Sequence, residues 1–344
     1  MSATPFATAR LFVRAHRTSV AIAATAVVAI VIVGSVLIFT KAAGSVISGE
    51  VESGTKSIQS VQVTDTSASG GQAVKFSSAV PTGGSCALPK YPTKTCTGVP
   101  AGTTLQTVTG DLVVTTAGQV IDGKHVTGSI SVQANDVVIK NSQIDGSVVN
   151  WNGAGHYRFT IQDSTVGKVG TYNSIWGIGI DNYTATRVLL IWHGDGFRVS
   201  GPNILIQDSY VELGNNDPAD HSDGIQLYGA SANVTIRHNV VDQTKVLSGT
   251  ATAPLFVPGG PANGNDSAVT TIQDNIFAGG GWTVVLYGGQ FPTVTGNKVV
   301  NGSWAYGPFD IDCSVIGTWS GNATITYDWT NGAILSQVAA RNDC

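Results

Sequence analysis

Charge is scarce in this chain. Asp, Glu, Lys and Arg together make up 12% of its 344 residues, too few for the charge-laced surface of a coiled coil or the solvated tracts of a disordered protein. Cations are scarcer still: 18 Lys and Arg stand against 22 Asp and Glu, and Arg10, Arg14 and Arg17 all lie in the N-terminus. The remainder carries a formal charge of −7, which argues against nucleic acid as a partner, since that binding leans on cationic contacts to phosphate. Cysteine is limited to Cys86, Cys96, Cys313 and Cys344, and their spacing is not a zinc pattern. Gly is abundant, at 42 residues, and Val, Ile, Thr, Ser and Asn dominate the middle of the chain. That composition favours strands and tight turns, in a chain long enough to bury a large core.

The N-terminus differs. From Thr18 to Thr40, 23 consecutive residues carry no charge. As a helix they would reach about 35 Å, enough for a hydrocarbon core of about 30 Å with some tilt. Arginines precede the run and only Lys41 follows closely, so the positive-inside rule places residues 1–17 in the cytoplasm and the bulk outside. The expectation is a single-pass transmembrane α-helix over 18–40 and a cell-membrane protein. The rival is a signal peptide cut near Lys41-Ala42-Ala43-Gly44, whose apolar region would exceed the roughly 7 to 15 residues usual there. On the oxidising side, Cys86 is expected to pair with Cys96 and Cys313 with Cys344, one of the three connectivities that four cysteines allow. Residues 41–84 read as a Ser/Thr/Gly-rich stalk with one short strand near Ile58–Val63.

Beyond the stalk a motif recurs. Segments such as Val138-Ile139-Lys140-Asn141-Ser142, Thr160-Ile161-Gln162-Asp163-Ser164, Leu205-Ile206-Gln207-Asp208-Ser209 and Thr271-Ile272-Gln273-Asp274-Asn275 superimpose without gaps. The aligned apolar position holds Ile139, Ile161, Ile206, Ile236, Ile272 and Val294, and Thr184–Trp192 supplies a degenerate copy inside the longest interval. Six intervals over 155 residues give about 26 per coil. Self-similarity at that period predicts stacked coils, each burying its apolar face against the next. Three residues after each apolar position lies a polar one, Ser142, Ser164, Ser209, Asn239, Asn275 and Asn297, read as a hydrogen-bonded corner ladder.

These rungs, as at Asn203–Val211 and Asn233–Val241, resemble those of the pectin-lyase-like superfamily, and Thr97–Thr103 with Ala305–Asp310 look like secreted bacterial β-helix proteins. The resemblance spans residue 97 to about 330. It implies an all-β, right-handed parallel β-helix, here over 85–330, with a cysteine-tied tail at 331–344. For activity it implies polysaccharide lyases, glycoside hydrolases, epimerases and non-enzymatic adhesins alike.

Two copies of His-x-Asp-Gly draw the chemistry. His193-Gly194-Asp195-Gly196 and His221-Ser222-Asp223-Gly224 lie 28 residues apart, as one corner of two successive coils would. Stacked about 4.8 Å apart, Asp195 and Asp223 would repel by roughly 3 kcal/mol at an effective dielectric of 20, so in a sheltered groove one would keep its proton beside an ionised partner. That suits a glycosidase; His193 or His221 as base beside a uronate suits a lyase. Asp-Gly also occurs at Asp122-Gly123 and Asp145-Gly146, and at all four places the alternative is an ordinary turn repeated by the solenoid, with Asp bonding its own backbone and Gly at positive φ; only two of the four carry the preceding His. Most motifs of the superfamily's polygalacturonan hydrolases are missing; only the Asp-Gly of His221–Gly224 matches.

Arg198 and Gln226 alternate with apolar neighbours and so point outward, while Tyr228, Tyr287 and Trp282, with Trp176 and Trp192 near the same corners, offer an aromatic surface for sugar rings. Val246–Asp266 reads as a loop walling that groove. Between the two His-x-Asp-Gly copies, Asp217 and Asp220, with Glu212, Asn215 and Asp223, offer oxygen ligands suited to Ca²⁺, though without EF-hand spacing, and a solvated acidic loop is the alternative. The expected partner is a polysaccharide or cell-envelope glycan, met by a monomeric enzyme, an adhesin or a purely structural solenoid.

Overall fold

Runs such as Val137–Lys140, Phe159–Gln162, Tyr183–Thr186 and Ile204–Gln207 alternate buried and half-buried residues with a period of two, as a strand with one face on a core requires. The computed structural model describes residues 60–64, 72–76 and 86–344, apart from 154, 215, 216, 218, 219, 230, 231, 247–250 and 260–268. The expected membrane helix lies outside the described residues, as does most of the stalk. Among the described residues no helix is long and apolar enough to cross a membrane. In the segment read as a stalk, Ser60–Thr64 pairs antiparallel with Gln72–Phe76, so the strand expected near Ile58–Val63 is one arm of a two-stranded sheet.

Residues 86–344 form a parallel β-helix. Each coil places one strand in each of three sheets. The first sheet starts at Gln106–Val108, the second at Leu112–Val114 and the third at Val120–Asp122; the next coil repeats them at Lys124–Val126, Ile130–Val132 and Val137–Lys140. The second and third sheets have nine strands each; the first has eleven, the last of them Ala333–Ala340, antiparallel to Ala323–Asp328. Register in the third sheet aligns Ile121, Ile139, Ile161, Ala185, Ile206, Ile236, Ile272 and Val294 in one column. All are at most 4% exposed, and each isoleucine contributes about 1.5–3 kcal/mol by leaving water. The degenerate copy keeps its place because Ala185 fills the same position. Both expected disulfides, Cys86–Cys96 and Cys313–Cys344, are formed.

The polar ladder follows from the corner that ends each third-sheet strand. Asn141, Asp163, Arg187, Asp208, His238 and Asp274 sit there at φ between 48° and 53°, with Gly123, Gly296 and Gly321 at equivalent places. Only Gly, Asn and Asp adopt that left-handed conformation readily, hence the recurring Asp or Asn. The two bulky exceptions are held by charge: Arg187 donates to both carboxylate oxygens of Asp163 at 2.6 and 2.7 Å, and His238 Nδ1 lies 2.6 Å from Asp208 Oδ1. The residue after each corner turns inward. Its side chain accepts the backbone N–H of the coil before it: Ser142 N to Ser164 Oγ (3.1 Å), Ser209 N to Asn239 Oδ1 (3.0 Å), Asn239 N to Asn275 Oδ1 (3.0 Å), Asn297 N to Asn322 Oδ1 (2.9 Å).

The segment expected as a wall behaves differently. Ala251–Val257 is a strand of the second sheet, between Ser222–Leu227 and Trp282–Leu286.

Candidate functional site

The corner between first and second sheets carries the two His-x-Asp-Gly copies. In the second sheet Phe197, Arg198 and Val199 pair with Ile225, Gln226 and Leu227, and that register stacks the preceding residues as well. Asp223 N donates to Asp195 Oδ1 (3.0 Å), and Gly196 N donates to Asp223 O (2.9 Å). The two aspartates are therefore neighbours along the axis. Of the four Asp-Gly glycines only Gly123 has the expected positive φ; Gly146 does not, nor do Gly196 and Gly224. Those last two let adjacent coils touch, since a Cβ on Gly196 would lie 2.1 Å from Gly224 O and one on Gly224 2.4 Å from Pro254 O.

The histidines do not share an environment. His193 is fully buried, its Nδ1 sits 3.1 Å from Ile175 O, and burial pushes its pKa down to about 4, so the ring is neutral at physiological pH. His221 ends the longer insertion and is exposed. Of the four residues read as catalytic, the fold brings Asp195 and Asp223 into contact and gives the two histidines opposite exposures.

Asp223 is 1% exposed, and both its oxygens are engaged. Oδ1 accepts from Ala253 N (3.2 Å), and Oδ2 accepts from Gln226 Nε2 (2.7 Å). The Gln226 carbonyl accepts in turn from Arg198 Nη1, while Arg198 Nε donates to Ser200 Oγ (3.0 Å). The guanidinium is fixed between two aromatic rings, 4.7 Å from the centroid of Tyr228 and 5.5 Å from that of Trp176. A buried carboxyl thus holds a glutamine, which holds an arginine, which sits in an aromatic clamp.

Burial, then the charge of Asp195, drives the Asp223 pKa well above the usual carboxylate range, and burial raises Asp195. An acid raised in the folded state binds extra protons there. Its contribution to stability is complete below the unfolded value, about 3.9, and is lost as pH climbs toward the folded value. Asp195→Asn keeps an acceptor for Asp223 N and removes the neighbouring charge. It should gain about 1 kcal/mol at neutral pH and flatten the decline in stability as pH rises above about 4, read by denaturant titration. A variant curve parallel to the parent's would contradict this coupling.

Comparison with family models, curated proteins and solved structures finds no match to this chain.

The remaining sequence candidates divide. Tyr287 follows the strand Trp282–Leu286 as Tyr228 follows Ser222–Leu227, so both lie on one edge of the second sheet, two coils or roughly 10 Å apart. They are 41% and 43% exposed, Arg198 covers part of the Tyr228 ring, and Tyr287 donates to Asp310 Oδ1 at 2.5 Å. Trp282 stands at the other end of its strand, where its ring packs 6.3 Å from that of Tyr306. Asp217 and Asp220 share a turn, with Asp220 N donating to Asp217 O (3.2 Å). Among the described residues no three His, Cys, Asp or Glu side chains gather as a metal site, and Asn215 lies outside them. Glu212, read as part of the acidic insertion, instead closes the first-sheet strand Tyr210–Glu212 and is bound by Lys94 and Lys245. Ser200 and Asp310 join the site unannounced: Ser200 follows Arg198 by two residues, and Asp310, the last residue of the Ala305–Asp310 segment, is brought to Tyr287 by strand register.

Proposed function

We propose that the chain is an extracytoplasmic glycan-binding solenoid, tethered by its N-terminal apolar segment, that holds polysaccharide along the second-sheet edge bearing Arg198, Gln226, Tyr228 and Tyr287. The observation that carries this reading is the Arg198 clamp, with its guanidinium pinned between Trp176 and Tyr228 and relayed through Gln226 to Asp223. Such an arrangement loses little further entropy to ordering when a ligand arrives, and it sets donors beside half-exposed aromatic rings, the combination a sugar ring needs. Tyr287 continues the edge for a chain longer than one residue. The stacked carboxyls favour the lyase or hydrolase reading only if a substrate reaches them. With Asp223 at 1% exposure and both oxygens engaged, the pair serves the clamp better than it serves catalysis.

The test is capture and cleavage of a panel of uronic-acid polymers and neutral glycans. Tyr228→Ala and Arg198→Ala should each weaken capture about tenfold, or about 1.4 kcal/mol, with no product released by the parent. Capture unaffected by either change sinks the binding reading. Turnover abolished by Asp223→Asn would replace it with the enzyme.

A further inference from the structure

A cavity of about 400 Å³ opens over the outer side of the first sheet, a different sheet from the Arg198 edge. Its floor comes from two adjacent strands, Tyr210–Glu212 and Val240–Asp242, which pair Glu212 with Asp242. Val211 and Val241 point into the main core, so their neighbours Glu212 and Asp242 project the opposite way. Both are nonetheless buried, at 7% and 4% exposure. Lys94 and Thr95, from the loop closed by Cys86 and Cys96, and Trp329, from the turn between the last two strands, complete the walls.

Charge balances inside it. The ammonium groups of Lys94 and Lys245 both bind Glu212 Oε2. Asp242 Oδ1 accepts from Thr244 N (2.9 Å) and Thr244 Oγ1 (2.6 Å), while Tyr210 donates to its Oδ2 (3.5 Å). Burial raises the Asp242 pKa, with Glu212 adding to the effect. Behind the wall, Tyr327 packs edge-on to Trp329 at 5.0 Å and is 8% exposed, which holds the indole in place.

We propose that this cavity is a second carbohydrate site, built for a neutral sugar of about one ring. An anion drawn to the lysines would meet Glu212 and Asp242 beside them, and a cation drawn to the carboxyls would meet Lys94 and Lys245. Sugar hydroxyls both donate to carboxylates and accept from ammoniums, so they add bonds without adding charge. Trp329 supplies an apolar face beside them, and the volume is at the small end of ligand pockets, about 300–1,000 Å³. The site stands apart from the lateral edge and does not depend on that reading.

The experiment is ligand-observed NMR titration of the full chain with methyl glucoside, methyl galactoside, methyl mannoside and methyl N-acetylglucosaminide, alongside methyl glucuronide and inorganic phosphate. At least one neutral probe should bind saturably, with phosphate and the glucuronide failing to displace it. Trp329→Ala should weaken that binding at least tenfold. Thr95→Trp, which fills the space from the exposed loop and leaves Trp329 in place, should do the same in a chain with an unchanged melting temperature. Tyr228→Ala should leave it intact while lowering polymer capture. No saturable neutral binding, binding confined to the charged probes, or neutral binding unchanged in both cavity variants would overturn the assignment. Failure of polymer capture alone would overturn only the edge.

Discussion

Asn275→Ala is expected to destabilise the β-helix by roughly 3–4 kcal/mol. Its Oδ1 accepts from both Asn239 N and Asn239 Nδ2 at 3.0 Å, and its Nδ2 donates to Ile236 O (3.0 Å) and Asn297 Oδ1 (2.9 Å). Asn275 and Asn239 are both fully buried, so no water replaces what is lost. Truncation orphans the Asn239 N–H, which alone costs about 1–3 kcal/mol, and removes three further bonds of about 0.5–1.5 kcal/mol each in part-compensated surroundings. Serine at the same position should recover about half the loss. Ser209 already fills that role elsewhere in the column, accepting from Val188 N (3.0 Å) and donating to Gln207 O (2.8 Å). Urea unfolding of parent, alanine and serine variants measures all three, and an alanine cost below about 1 kcal/mol would show that the ladder is not what ties these coils.

Gly224→Ala should cost about 3 kcal/mol or more, at the upper end for overpacking a core. The added methyl meets Val241 Cγ1 at 2.2 Å and Pro254 O at 2.4 Å, the second a backbone atom of the next coil that cannot swing aside. Relief requires the coils to separate, which stretches ladder bonds on both sides. Gly123→Ala is the instructive comparison. At φ +62° with only Thr104 O nearby, at 3.5 Å, it suffers backbone strain of about 1–2 kcal/mol and no clash. Gly123→Asn should therefore be nearly neutral, matching Asn141 in the same column, whereas Gly224→Asn should be as harmful as alanine. Equal effects at the two glycines would mean that coil contact is not the constraint at Gly224.

These paired glycines mark how far the sequence could be read. Asp122-Gly123 and Asp223-Gly224 look alike as dipeptides, yet one is a left-handed corner and the other a point of coil contact. The rung column, by contrast, was legible from spacing, including the weak copy where Ala185 stands for isoleucine. Pro254 disguised the strand Ala251–Val257, because proline inside an apolar run reads against a strand. The His-x-Asp-Gly motif itself does not distinguish His193 from His221, although one is buried and the other, at the end of the polar insertion, is exposed. The Glu212 clamp was invisible for a simpler reason. Lys94 and Lys245 are remote from it in the chain and belong to no repeat.

By itself the sequence determined the coil, its period, the apolar column and the polar ladder beside it, because each is set by residues that recur at a fixed offset and bury themselves only against copies of themselves. The disulfide partners were also within reach, since nearness along the chain favours them. Tertiary structure alone decided which polar groups are sealed and which are open. That depends on what folds over them, and here the Cys86–Cys96 loop and the turn at Trp329 are unique segments that no periodicity describes.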